Sequence, residues 1–461
     1  MSGTSPGCRY EPSLVGLVGL VAGAVIPVAT VTADPPPASA PDRLAAAGAR
    51  LAWRVPLALP FTASIRSYHL VDEYLYAIGS DGVVRSIRAD TGQHLWTRQL
   101  VDAGETLWPP TAYHSAELGA VVFTRLLNVL LLDPATGSDR ENRDQNGRAG
   151  SRERKIVRGL RLKDPTSASV AVSAEKLFAV SIGRRLQSYD ITTGDPSWRA
   201  ATPATVRLAP LYLSDGDQLL VADEGGLIVG IDATTKARQF ARQLHGEPTG
   251  WLAADAKAVY VATSEPRLYA LDRAKGETLL EHHLPGRPLG GPAVTAKSVY
   301  QALVGGGLQR VSLDPQSKGW LAPHGKRFLA EWPDRAVLLS TDGRIVFVEP
   351  NTGKSLAVLD LGDVADGVSN VFTDAVMVAS SRGEVRCIRP IGARALTGAD
   401  FRPPPTQAPK SVEQGPTAEE AGGAGQTAGA AGEPAEQAAP RMTLEERILA
   451  DPLRSRATSE P

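Results

Sequence analysis

An eight-bladed all-β propeller is the fold predicted by three features of this 461-residue sequence. One unit recurs: an apolar strand, a Gly-containing turn, a second apolar strand, then an acidic or turn residue followed within a few positions by Thr-Gly or a variant of it. Eight copies, anchored between positions 88 and 389, set a mean period of about 43 residues. The third feature is a mismatch at the two ends, because the eighth copy lacks a final strand while an orphan strand-like segment precedes the first.

Before the repeats, Ser13 to Ala33 is a run of 21 residues without a charge, long enough to enter a translocon or to span a bilayer. Small residues near Ala33 suit a cleaved signal peptide over 1–33, with a retained N-terminal anchor as the alternative. Cys8 precedes this apolar stretch, so it is not placed as a lipidation cysteine. With Cys387 as the only other cysteine, neither a disulfide framework nor a cysteine-based zinc site is available. Residues 34–50 are rich in Pro and Ala and are expected to be a linker.

The ring is expected over 51–392. Its clearest unit runs from Tyr74 to Trp96, where period-two alternation on both sides of Asp81-Gly82 marks a hairpin and Asp90-Thr91-Gly92 turns the chain into another strand. Later copies place Asp133, Asp190, Asp232, Asp272, Asp314 and Glu349 at the second turn, and the last copy has decayed to Arg389. A carboxylate there accepts hydrogen bonds from the amides that follow it, and a Gly several residues on supplies positive φ. These repeated acids are therefore read as structural rather than catalytic. A sheet of this size cannot bury both faces alone, and radial stacking covers them. Leu51 to Leu57 supplies the strand that the eighth unit lacks, with Trp53 standing where Trp96 and Trp198 stand in other units, so the chain's own beginning closes the ring.

One insertion interrupts the period. Ser138 to Lys163 holds nine Lys or Arg against four Asp or Glu, and Arg152, Arg154, Lys155 and Arg158 are its candidate partner contacts. After the ring, residues 393–440 are dominated by Pro, Ala, Gly, Glu and Gln and are expected to be a disordered linker. The tail, 441–461, contains a short helical pattern with Thr443 as cap and Leu444, Ile448 and Leu449 as an apolar stripe, a second candidate contact.

Charge and motif content narrow the function. With 49 basic against 50 acidic residues, the net charge of −1 provides no field to gather nucleic acid. No Gly-rich phosphate loop with Lys-Ser/Thr and no Gly-x-Ser-x-Gly elbow is present, and Val304 to Leu308 is a turn between strands. His282 and His283 fall on one strand with opposite-facing side chains, which disfavours a shared metal.

Ser80-Asp81-Gly82, Leu268-Tyr269-Ala270-Leu271-Asp272 and Gly92-Gln93-His94-Leu95-Trp96 resemble the repeats of quinoprotein-like (PQQ-repeat) propellers, over roughly the whole ring. One branch of that family is dehydrogenases holding pyrroloquinoline quinone and calcium; another is noncatalytic eight-bladed scaffolds typified by BamB of the outer-membrane barrel-assembly machinery. The enzymatic branch implies a calcium site, a catalytic Asp, a Trp floor and often a vicinal disulfide. This chain has no adjacent cysteines and places most Asp at turns, so neither pyrroloquinoline quinone nor calcium is expected. An exported, noncatalytic scaffold in the periplasm or cell envelope that binds an envelope protein is expected, its propeller monomeric, and the resemblance implies assistance to outer-membrane protein assembly. It touches the membrane only through a retained N-terminal segment. A quinone dehydrogenase and a ligand-sensing propeller stand as alternatives.

Overall fold

The computed structural model describes residues 40–115, 119–139 and 159–402. They form eight sheets of four antiparallel strands. Seven are built from consecutive strands. The first is Ile65–Val71, Tyr74–Gly79, Val83–Arg88 and His94–Gln99. The eighth takes Val364–Val368, Val376–Ser380 and Glu384–Pro390 from the end of the ring and Ala49–Pro56 from its beginning. Ala49–Pro56 pairs antiparallel with Glu384–Pro390, Ala49 opposite Pro390 and Trp53 opposite Cys387, with a bulge between Leu51 and Trp53. First strands touch between several neighbouring sheets, and Ile65–Val71 of the first blade touches Val364–Val368 of the last. The predicted closed propeller with its N-terminal seam is the observed fold.

Apolar side chains on the second and third strands of each blade make the core. Leu75, Val122, Leu177, Leu220, Val259, Val299, Val337 and Val376 are all fully buried, and each belongs to a cluster that spans two neighbouring blades or lies within one. Stacking of sheets thus buries both faces.

The repeated turn is what fixes blade to blade. Asp133 accepts from the amides of Ala135 and Thr136 at 2.9 and 3.0 Å. Asp190 does so from Thr192 and Thr193 at 2.8 and 3.0 Å, and Asp272 from Ala274 and Lys275 at 2.9 and 2.8 Å. A residue with positive φ ends the turn, Gly137 at 67° and Gly276 at 69° among them. The bare α-carbon then receives an aromatic ring from the outer strand of the preceding blade: Trp53 on Gly92, Trp96 on Gly137, Phe240 on Gly276 and Trp320 on Gly353. Three of those indoles also donate to the turn backbone, Trp53 to Ala89 O at 3.0 Å, Trp96 to Pro134 O at 3.0 Å and Trp320 to Pro350 O at 2.8 Å. At the turn where Lys236 stands in place of Gly, its φ is 64° and its ammonium stands 5.9 Å from the Trp198 ring.

Two boundaries differ from the sequence-based expectation. Residues 40–50 are not linker: the helix Ala40–Ala46 puts Leu44 into the cluster shared by blades seven and eight, and Arg43 donates to Asp360 O at 3.2 Å. The outer strand of blade seven offers only Ala357 and Leu359 toward that interface, and Leu44 belongs to the same cluster. Nor does the linker begin at 393. Residues 391–402 pack on the ring, and Phe401 is 1% exposed against Leu75, Ala77 and Met377. Neither segment carries the repeat pattern, and both are ordered by long-range contacts that no local pattern announces.

Candidate functional site

The loops joining first to second strands and third to fourth strands of each blade form one face of the disc, here the loop face. The C-terminal extension crosses it. Ile391 N donates to Gly48 O at 3.0 Å, and Arg389 Nη1 donates to Arg394 O at 2.6 Å. Arg394 pairs with Asp400 and holds that carboxyl well below the usual range. Asp400 in turn accepts from Thr397 N at 2.8 Å, capping the 3-10 turn Gly398–Phe401. Beyond Phe401, Arg402 clasps the buried carboxylate of Glu73 through Nε and Nη2 at 3.1 and 2.8 Å. The extension therefore pins blade eight to blade one, opposite in sequence to the N-terminal strand but at the same seam.

Two hollows flank it. The smaller, about 410 Å³, lies between blades one and two beside Tyr74, Tyr76, Asp133 and Arg402. Its wall holds an ion pair of His114 with Asp72 at 3.2 Å, and the hydrogen bond that the imidazole donates to that carboxylate raises the His114 pKa. The larger, about 720 Å³, lies over blades six to eight. Trp332, Val371, Phe372 and Leu396 give it apolar lining, while Lys297, Arg310 and Arg394 alternate with Glu331, Asp334 and Asp374 around it. Phe372 is 48% exposed. The turn that carries it is rigid, because Asn370 accepts from Phe372 N and Thr373 N, both at 3.1 Å, and Trp332 Nε1 donates to Asp374 O at 2.8 Å.

A third polar group lines the inner strands. His69 accepts or donates to Ser67 Oγ at 2.9 Å, and burial, reinforced by Arg327, pushes its pKa down to about 4. Tyr68 is pushed up to about 12 by burial and then by Asp366, which stands 3.4 Å from Arg327 Nε.

The sequence-based contact residues are not among these. Arg152, Arg154, Lys155 and Arg158, and Leu444, Ile448 and Leu449, lie outside the described residues, as does the 1–33 segment. Lys163, at the end of the basic insertion, does fall on the ring side, where its amide donates to Tyr189 Oη at 3.0 Å. His282 and His283 alternate on one strand as expected, one half-buried and the other exposed. Sequence reasoning missed the loop-face hollows, because their residues are contributed by three separate blades and by the extension. Phe372, an aromatic in a turn between two strands, is the sequence feature that marks the place.

Asp133, Asp190, Asp232 and Asp272 are occupied by turn amides, and among the described residues no three His, Cys, Asp or Glu side chains gather to hold a metal. Among the described residues, no helix is long and apolar enough to cross a membrane.

No curated protein sequence matches the chain. Among solved structures it is similar to BamB from Moraxella catarrhalis, with a TM-score of 0.55 and 16% identity, over 75% of this chain and 99% of that one. It is also similar to the computationally designed Ika8 protein, with a TM-score of 0.51 and 14% identity over 71% and 96% of the two chains. The C-terminal WD40 domain of Sif2 aligns with a TM-score of 0.52 and 12% identity over 74% and 98%. At these identities the likeness is one of fold. The family model described as outer membrane protein assembly factor BamB matches residues 144–252 and 239–397, more than half of the sequence. On that match, and on eight four-stranded blades closed by a strand from its own N-terminal part, this chain belongs to the PQQ-repeat propeller family of that description.

Proposed function

We propose that this protein is a noncatalytic binding platform of the cell envelope, working without a cofactor, whose loop face captures another envelope protein. Family membership favours a partner in the outer-membrane assembly machinery, and export through the 1–33 segment is the route that the reading requires. The observation that carries it is Phe372, a half-exposed ring at the mouth of a 720 Å³ hollow with both signs of charge around it. Aromatic anchors in a pocket with a polar rim are what protein recognition uses. The ring beneath is held by paired turns and buried seams, so such a surface is presented without reorganisation. The four basic residues Arg152, Arg154, Lys155 and Arg158 are candidate secondary contacts for an acidic partner surface.

A photo-reactive residue in place of Phe372 tests this in intact cells, with one in place of the fully exposed Phe61, between blades on the opposite face, as control. Adducts of raised mass with an envelope protein are expected from position 372 and not from 61. Adducts from 61 alone, or turnover of a small-molecule substrate by the purified protein, contradict the reading.

A further inference from the structure

We infer that two copies of this chain pair edge to edge through the outer strand of blade seven, Ser355–Leu359, in an antiparallel register centred on Ala357. The inference concerns the rim of the disc and is independent of any partner held on the loop face.

The outer strand of each blade presents one unpaired edge, and proteins guard such edges with charge, proline, bulges or shortness. Seven of the eight are guarded here. Arg98, Arg161, Arg199, Arg238, Glu281 and Arg50 each put a charge on the outer strand of their blade, and the outer strand of blade six, Trp320–Ala322, has only three residues. Blade seven instead ends on Ser-Leu-Ala-Val-Leu, five residues with neither charge nor proline. Among the described residues, these five make no hydrogen bond beyond the ladder with Ile345–Val348.

The two faces of that strand differ. Ala357 and Leu359 turn toward the cluster shared with blade eight. Val358 stands opposite Val346, on the side of blade six, and with Leu356 on the same face it stays half-exposed, at 54% and 48%. This face runs on into Lys354 at one end and Asp360 at the other, so it reads Lys, Leu, Val, Asp. Such a face complements itself when reversed. Antiparallel pairing about Ala357 sets Leu356 opposite Val358 of the second copy and Lys354 opposite its Asp360, and a twofold axis repeats both pairs. The charges are available for it. Among the described residues Lys354 has no ion-pair partner, and Asp360 meets a single cation, Arg344, at 3.9 Å. A slip of one residue would turn the faces against each other, so the register is specified. Two four-stranded blades become one eight-stranded sheet, which leaves no edge there for a third copy. The monomeric propeller that the sequence suggests then holds only at high dilution.

The mass of the purified full chain, followed by sedimentation equilibrium across about a hundredfold range of concentration, tests this. The wild type should pass from monomer to dimer and no further. Val358→Lys places a guard on the edge and should weaken the dimer about tenfold or more, with the thermal midpoint unchanged because the side chain it replaces is half-exposed. Lys354→Asp should weaken it about threefold at low salt, and adding Asp360→Lys should restore it, since the charged pair is re-formed with its signs exchanged. A monomer at every concentration overturns the inference. So does a dimer that Val358→Lys leaves intact, which would be held by another part of the chain, or a double variant that pairs no better than Lys354→Asp alone.

Discussion

Trp53 covers Gly92. The first residue stands on the first strand of the ring and the second in the last turn of the first blade, and a methyl group at Gly92 would fall 2.6 Å from the indole. Trp53 Nε1 completes the contact by donating to Ala89 O at 3.0 Å. The same arrangement joins Trp96 to Gly137 and Trp320 to Gly353 inside the ring. The chain's beginning is therefore fastened to blade one by the device that fastens internal blades, although it hydrogen-bonds to blade eight.

Gly92→Ala separates crowding from backbone strain when it is set beside Gly104→Ala. Both positions have positive φ, 75° and 90°, but nothing stands within 4 Å of a methyl at Gly104. The Gly104 substitution should cost about 1 kcal/mol, from the left-handed backbone alone. At Gly92 the collision adds to it, for a loss of about 3 kcal/mol in denaturant unfolding. Equal losses would show that the indole is not where the structure puts it.

Phe401→Ala tests the C-terminal clasp. The ring is 1% exposed within the seam cluster, so its removal should cost about 3 kcal/mol. Arg402→Ala leaves the carboxylate of Glu73, 6% exposed, without its bidentate partner and should also destabilise, by about 2 kcal/mol given that the guanidinium is half-exposed. The thermal midpoint is the readout: both variants should lower it, and no change in either would mean that 391–402 does not hold the seam.

Two histidines should give the stability opposite pH dependences. His69 has its pKa pushed down to about 4, so below about 6.5 the unfolded chain binds a proton that the folded one refuses. Stability then falls as pH drops from about 6.5 to about 4, by up to about 3 kcal/mol, and His69→Gln should flatten that limb. His114 is raised by Asp72. Its contribution is fully present below about pH 6.5 and is lost as pH rises through the folded value, so His114→Gln should destabilise at about pH 5.5 and be neutral at about pH 9. Denaturant midpoints of both variants across that range are the measurement, and a His114→Gln penalty that grows with pH would contradict the pairing.

Replacing Arg152, Arg154, Lys155 and Arg158 together with Ser should weaken capture of the envelope partner several-fold and leave the thermal midpoint unchanged, since these residues lie on an insertion between two strands of blade two. Pull-down at two salt concentrations is the check. Undiminished capture would remove that patch from the interface.

What was legible in the sequence was whatever repeats. Alternation around Asp81-Gly82, the acid at Asp133, Asp190, Asp232 and Asp272, and the indole at Trp53 are local signals that recur from unit to unit, so even a decayed last copy at Arg389 was placed correctly. Leu44 and Phe401 were not legible. Each sits outside the repeat pattern, and each is ordered by apolar partners some 300 residues away in the chain. The loop face was hidden for the same reason: Lys297, Trp332, Phe372 and Arg394 share a hollow only because three blades and the extension converge. Phe240, doing at Gly276 what Trp does elsewhere, shows that the turn asks for a flat ring rather than for an indole.

The closed seam is tested most directly by a disulfide that only the closed ring permits. Trp53 lies opposite Cys387 across the pair of strands joining the chain's beginning to blade eight, and Cys387 is a buried free thiol. In a Trp53→Cys variant that also carries Cys8→Ser, mild oxidation should form one intramolecular bond linking residues 53 and 387, seen as a compact species on a nonreducing gel and as a single cross-linked peptide by mass spectrometry. A variant that stays reduced while folded, or that links only between molecules, would contradict the ring closed by its own first strand.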